Sequence, residues 1–201
     1  SESGARHRRD CWFHRILPYI EQQPLYDKYE ADSAEYVVYA ADSIRTAPVA
    51  SLCCPSDPDS PGVGGAGGSP AFQGNLIVCI GDTHTTGGPY GPTGSATHFT
   101  GIFYGYSTTR FADIIDGTAN TLLASEGIVR HQDGSTFVSW GDAGGYWGSA
   151  NHGATAFSTR EPPNTPVKDA IYQCKSENIS QSPCRSHKGA EDPIVYARSY
   201  H

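Results

Sequence analysis

The sequence predicts an α+β fold in which a short N-terminal helical segment packs on a mostly antiparallel β-sheet with long glycine-rich loops. Three observations carry this. Apolar residues recur at helical spacing only near the N-terminus, from Trp12 to Ile20. Short β-prone runs follow, of which Leu-Ile-Val-Cys-Ile at 76–80 is the clearest. The composition of 23 Gly, 14 Pro and 12 Tyr with only 17% charged residues suits short strands joined by many turns, not a helical bundle. With 37% hydrophobic residues, a chain of 201 can bury a real core, and residues 1–201 read as one domain.

Taken in order, Asp10 is placed to cap a helix whose inner face holds Trp12, Ile16, Leu17 and Ile20, with Tyr19 and Glu21 turned outward. Trp12 is the expected anchor of the core. Pro18 lies too deep for an unbroken helix, because it removes a donor and its ring clashes with the preceding turn, so a kink or break is expected there. Pro24 suits the first turn of a second helix that puts Leu25 and Tyr29 on one face. Residues 36–39 and 49–53 are β-prone, and Cys54-Pro55-Ser56-Asp57-Pro58-Asp59 is a proline-punctuated turn. Residues 62–68 look too glycine-rich to pack and read as a surface loop. Residues 76–80 form a continuous apolar run, the pattern of a central strand covered on both faces.

The segment 81–101 reads as a long surface excursion whose threonines are possible sugar acceptors. Residues 102–104, 111–115 and 121–126 then read as strands, or a short helix and a strand, around the Asp116-Gly117 turn. Residues 136–140 are a further strand candidate, and 141–198 is loop-rich.

Several function classes are disfavoured. A net charge of -7 argues against a nucleic-acid partner, which needs clustered Lys and Arg to displace counterions. Arg6, His7, Arg8 and Arg9 form one small basic cluster at a chain end. No apolar run approaches the ~20 residues that cross a bilayer, so no membrane span is expected in this chain. Met is absent, so Ser1 is not a translation start and a processed or partial chain is expected.

Six cysteines in a polar, turn-rich chain point to export into an oxidising compartment. Cys174 and Cys184 bracket a polar loop with little else to order it, and a bridge between them is expected. The pairing of Cys11, Cys53, Cys54 and Cys79 is open, and buried free thiols suit Cys11 and Cys79 equally well. Asn178-Ile179-Ser180 fits the N-glycosylation pattern at Asn178.

No catalytic constellation is legible, and no catalytic residue is assigned. There is no Gly-x-Ser-x-Gly elbow, and Cys54 precedes a proline instead of a helix N-terminus that would activate its thiol. His84, His98, His131, His152 and His187 stand in no recognisable ligand pattern. Asp113, Asp116, Asn120 and Glu126 cluster around one turn as a possible Ca²⁺ site, although their spacing is not that of an EF-hand. No other cofactor is expected. Tyr90, Tyr146 and Trp147 lie among glycines and are candidate contact residues for sugar stacking or subunit packing.

Four blocks occur in order: Trp12 with Ile16-Leu17-Pro18-Tyr19-Ile20-Glu21-Gln22 and Leu25-Tyr26; Cys54-Pro55-Ser56-Asp57-Pro58; Ile115-Asp116-Gly117-Thr118-Ala119-Asn120-Thr121-Leu122-Leu123; and Arg160 to Asn164 around Pro162-Pro163. Together they resemble a bacterial prepilin-like family of secreted proteins of unknown function whose C-terminus carries His, nine residues and Asp-Gly. Ser186-His187-Lys188-Gly189 resembles the start of that last motif, but nine residues beyond His187 stand Ala197-Arg198, so the motif is degenerate here. The resemblance implies a pilin-like head, normally preceded by an assembly helix absent from this chain, and no enzymatic activity. The expected function is that of a secreted structural subunit of an extracellular filament or pilus-like appendage, a homo-oligomer at the cell surface. The alternative is a carbohydrate-binding module with glycans as partners.

Overall fold

The computed structural model describes residues 10–66, 69–82, 100–104, 107–130, 142–148, 155–172, 174, 179–186 and 193–201. Tyr90, Asn178, the strand candidate at 136–140 and the five histidines named above lie outside these residues.

The helical block is shorter and more broken than an ideal amphipathic helix. Helix α1 spans Trp12–Ile16 and gives way at Pro18 to a 3-10 turn, Leu17–Tyr19. Asp10 does not cap it. Its carboxylate pairs with Arg15, and the backbone N–H of Cys11 donates to His14 Nδ1 at 3.1 Å instead. Helix α2, Gln23–Ala31, carries Pro24 in its first turn and buries Leu25 and Tyr29. Helix α3, Asp42–Arg45, buries Ile44. The β-prone runs on either side of α3 form 3-10 turns, Val37–Tyr39 and Ala50–Leu52, so Val37, Val38 and Leu52 are buried from tight turns and not from strands.

Among the described residues the β-structure is divided among three small sheets. Strand β1, Gly62–Ala66, pairs antiparallel with β2, Ser69–Gln73. The expectation of an unpacked loop at 62–68 is thereby corrected for 62–66, while 67 and 68 lie outside the described residues. A side chain at Gly64 would begin 2.7 Å from Gln73 Oε1, so the missing side chains admit the close approach that builds the hairpin. Strand β3, Leu76–Cys79, is the centre of the second sheet, as its apolar run predicts. It pairs antiparallel with β4, Ala124–Glu126, and parallel with β5, Ala156–Phe157. The third sheet is the parallel pair of β6, Asp169–Ile171, and β7, Cys184–Ser186. The fold is α+β, with a mixed set of strand pairings.

The larger core lies between the helices and β2. Phe13, Leu17, Val37, Val49, Tyr146 and Trp147 are all fully buried there. Phe13 stacks on Tyr146 at 4.4 Å between ring centroids, and Trp147 meets Phe13, His14 and Tyr29 edge-on at 5.7, 4.7 and 5.9 Å. Trp12, Ile16 and Ile20 are only half-buried against this cluster, so the expected anchor sits at its edge, where the Trp12 indole donates to Thr155 O at 2.9 Å. Tyr19 is exposed, and so is Glu21.

A second core joins Ile77, Cys79, Phe157, Ile171 and Val195. Beside it lies a buried ionic cluster. Arg130 pairs with both Asp142 and Asp169, and Arg198 pairs with Asp169 at 2.9 Å. Arg130 also donates to Ser182 O at 2.9 Å, and Arg198 donates to the carbonyls of Thr165 and Val167 at 2.6 and 2.7 Å.

Cys174 and Cys184 are joined by a disulfide, with Cα atoms 5.8 Å apart. Cys11, Cys53, Cys54 and Cys79 are free thiols, of which Cys79 is buried and the others half-buried.

A polar hub ties the first core to the second. The buried Asn75 amide donates to Asp57 Oδ2 at 2.6 Å and to Gly127 O at 2.9 Å, while its Oδ1 accepts from Cys54 N at 2.8 Å. Asp57 Oδ2 also accepts from Val129 N at 2.9 Å. The Cys-Pro-Ser-Asp-Pro turn is therefore fixed, through buried hydrogen bonds, against the start of β3 and the exit of β4.

Candidate functional site

The surface that most needs explaining is an arm formed by residues 107–123, which precedes β4. It is braced from within. The Arg110 guanidinium forks onto the Asp113 carboxylate at 2.9 and 3.1 Å, and Asp113 Oδ2 accepts the Arg110 N–H at 2.9 Å. The Arg110 hydrogen bonds hold the Asp113 carboxyl below the usual carboxylate range. Two 3-10 turns, Phe111–Asp113 and Thr118–Asn120, flank the Asp116-Gly117 turn. Asn120 Nδ2 donates to Asp116 O at 2.9 Å and Thr121 Oγ1 to Gly117 O at 3.1 Å.

This ordered arm holds its apolar side chains out in water. Phe111 is 83% exposed, Ile115 92%, Leu122 52% and Leu123 55%. Single exposed apolar residues are ordinary, whereas four along one short segment make this arm a candidate interaction surface. The arm runs into β4, which is an outer strand of its sheet among the described residues. The outer edge of β4 is met at its end by the 198–201 segment, with Arg198 N donating to Glu126 O at 2.8 Å. A cleft of about 370 Å³ adjoins the arm, bordered by Asp82, Thr100, Asp116, Asn120 and Leu122. Thr100 Oγ1 accepts from Asp82 N at 2.9 Å beside it.

The four oxygen ligands expected to hold Ca²⁺ do not converge. Asp113 is engaged by Arg110, the Asn120 amide is turned to Asp116 O, and roughly 20 Å of largely extended chain, at ~3.3 Å per residue, carries Glu126 away from the turn. Glu126 lies instead beside Cys54 and His201. Tyr146 and Trp147 are not contact residues either. Both are fully buried, because Gly144 takes a φ of +77° and packs against Gly74 where a side chain would collide, and so turns the two rings into the core. The glycines around them report tight packing, not a surface loop. Periodicity in the sequence does not separate the exposed arm residues from core strand residues. Only the Asp116-Gly117 turn at their centre signalled a surface position.

A family model described as "Protein of unknown function (DUF1559)" matches residues 1–201. The chain belongs to this family. No curated protein and no solved structure matches it. In this DUF1559 chain the ordered sequence blocks fall on distinct structural tasks. The Trp12 block lines the first core, the Cys54 block forms the turn held by Asn75, and the Ile115 block is the exposed arm. No helix among the described residues is long and apolar enough to cross a membrane.

Proposed function

We propose that this DUF1559 chain is a non-catalytic structural subunit of an extracellular filament or pilus-like surface appendage, and that copies meet through the arm at 107–123. The observation that carries this reading is the exposure of Phe111, Ile115, Leu122 and Leu123 on an internally braced arm beside an outer strand. Burying a large apolar side chain gains ~1.5–3 kcal/mol, so the four together supply at most about 6–12 kcal/mol. Association itself costs ~4–15 kcal/mol. One such contact is therefore weak alone, and repetition along a head-to-tail assembly is what makes it hold.

The α+β head and the resemblance to prepilin-like proteins support the same reading, and the Cys174–Cys184 disulfide supports a secreted location. The carbohydrate-binding alternative rested on Tyr90, Tyr146 and Trp147, and two of these are buried.

Ile115→Asp tests the proposal. Sedimentation velocity over a concentration series should show self-association weakened by about 30-fold or more, the factor that corresponds to a 2 kcal/mol hot spot. Thermal unfolding should stay within ~0.5 kcal/mol of the parent, because the side chain is almost fully exposed. Unchanged self-association with Asp at this position would sink the arm as the contact surface.

A further inference from the structure

Three residues from distant parts of the chain converge at a second place. Cys54 Sγ, a Glu126 carboxylate oxygen and a His201 ring nitrogen all lie within 4.8 Å of one another. His201 Nε2 is already 3.6 Å from Glu126 Oε2. Each is carried on anchored backbone. Cys54 N donates to Asn75 Oδ1 at 2.8 Å. Glu126 ends β4 opposite Leu76, and its carbonyl accepts Arg198 N at 2.8 Å, which draws the 198–201 segment alongside. Ser199 N donates to Asn164 Oδ1 at 2.9 Å and Ser199 Oγ to His201 O at 2.8 Å. The convergence thus follows from the fold and not from one loose side chain.

We propose that Cys54, Glu126 and His201 form a binding site for a zinc-class divalent ion, with a water molecule as the fourth ligand. A tetrahedral ion bonded at ~2.0–2.3 Å holds its ligand atoms roughly 3.3–3.8 Å apart. The His201–Glu126 separation already falls in that range, and the thiol needs to move by only about 1 Å, within the reach of a side-chain rotation. The donor set selects the ion. A thiolate and an imidazole beside one carboxylate suit Zn²⁺ and disfavour Ca²⁺ and Mg²⁺, which want oxygen. On binding, the Cys54 thiol releases its proton and the thiolate and carboxylate together balance the ion's charge. The ion would tie the Cys-Pro-Ser-Asp-Pro turn, β4 and the 198–201 segment to one another. That role is independent of the arm.

The test is titration of the full 201-residue chain with Zn²⁺, and separately with Co²⁺, under argon. One equivalent of Zn²⁺ should bind and raise the unfolding temperature. Co²⁺ should give a thiolate charge-transfer band and tetrahedral d–d bands. Cys54→Ser and His201→Ala should each weaken Zn²⁺ binding by more than about 100-fold, beyond the loss typical of removing an outer-shell partner. His201 is exposed, so its substitution leaves the fold intact, and Cys53→Ser should bind like the parent. No stoichiometric binding, binding that survives either ligand substitution, or a Co²⁺ spectrum without the thiolate band would overturn the proposal.

Discussion

Trp147→Ala is expected to destabilise the fold by about 3–5 kcal/mol, the usual range for truncating a buried Trp. That is a large fraction of the ~5–15 kcal/mol that holds a domain folded. Trp147 is fully buried and its ring meets Phe13, His14 and Tyr29, so truncation opens a cavity where α1, α2 and the 142–148 loop join. Trp147→Phe should cost well under half as much. It keeps an aromatic ring and discards an indole N–H that has no hydrogen-bond partner among the described residues. Trp12→Ala should fall below Trp147→Ala, because Trp12 is only half-buried. Chemical denaturation of the three variants checks the order. A Trp147→Ala protein as stable as the parent, or less affected than Trp12→Ala, would mean that the aromatic cluster is not the centre of the core.

Arg130→Met is expected to be comparably severe, at about 3–5 kcal/mol, because removing one partner of a buried ion pair strands the other. Arg130 neutralises both Asp142 and Asp169. After its loss Asp169 retains Arg198, whereas among the described residues Asp142 is left with only the Ala143 N–H at 3.1 Å. Burial already pushes the Asp142 carboxyl above its ordinary value even with Arg130 present, so the variant raises it further. The sign of the pH dependence follows. A carboxyl whose folded pKa exceeds its unfolded one favours folding most at low pH and loses that benefit as pH rises through the folded value. The stability deficit of Arg130→Met should therefore be smallest in acid and grow toward neutral pH. Adding Asp142→Leu should recover part of the neutral-pH loss. A deficit that is flat with pH and unrelieved by the second substitution would contradict a stranded Asp142.

How much of this was legible in the sequence depends on how local the determinants are. The break at Pro18, the start of α2 at Pro24 and the burial of Leu25 and Tyr29 follow from steric rules within one turn of helix, and all stand in the structure. The central strand at 76–79 and the Cys174–Cys184 bridge likewise rest on contiguous or nearby residues. The failures share a cause. Glycine at 62–66 looks like a loop until Gln73 is seen packing where side chains are missing. Trp147 looks exposed among glycines until Gly144 is seen turning it inward. Asp113 and Glu126 look like neighbours by number, but the chain between them extends into β4. The arm reads as strands, or a short helix and a strand, because Phe111, Ile115 and Leu122 are residue types that a core buries, and only the tertiary fold shows that nothing among the described residues covers them. The Cys54, Glu126 and His201 group has no spacing pattern, since the buried Asn75 hub and the Arg198–Glu126 hydrogen bond bring it together across the whole chain.

The most direct measurement of assembly through the arm is a photo-cross-linkable residue placed at Ile115 and activated on the producing cell or in its medium. The expected product is an adduct of twice the chain mass, in which position 115 is joined to a peptide of a second copy of the same chain. An adduct to a different protein, or a chain that stays uncross-linked where the native material is visibly assembled, would contradict self-assembly through this surface.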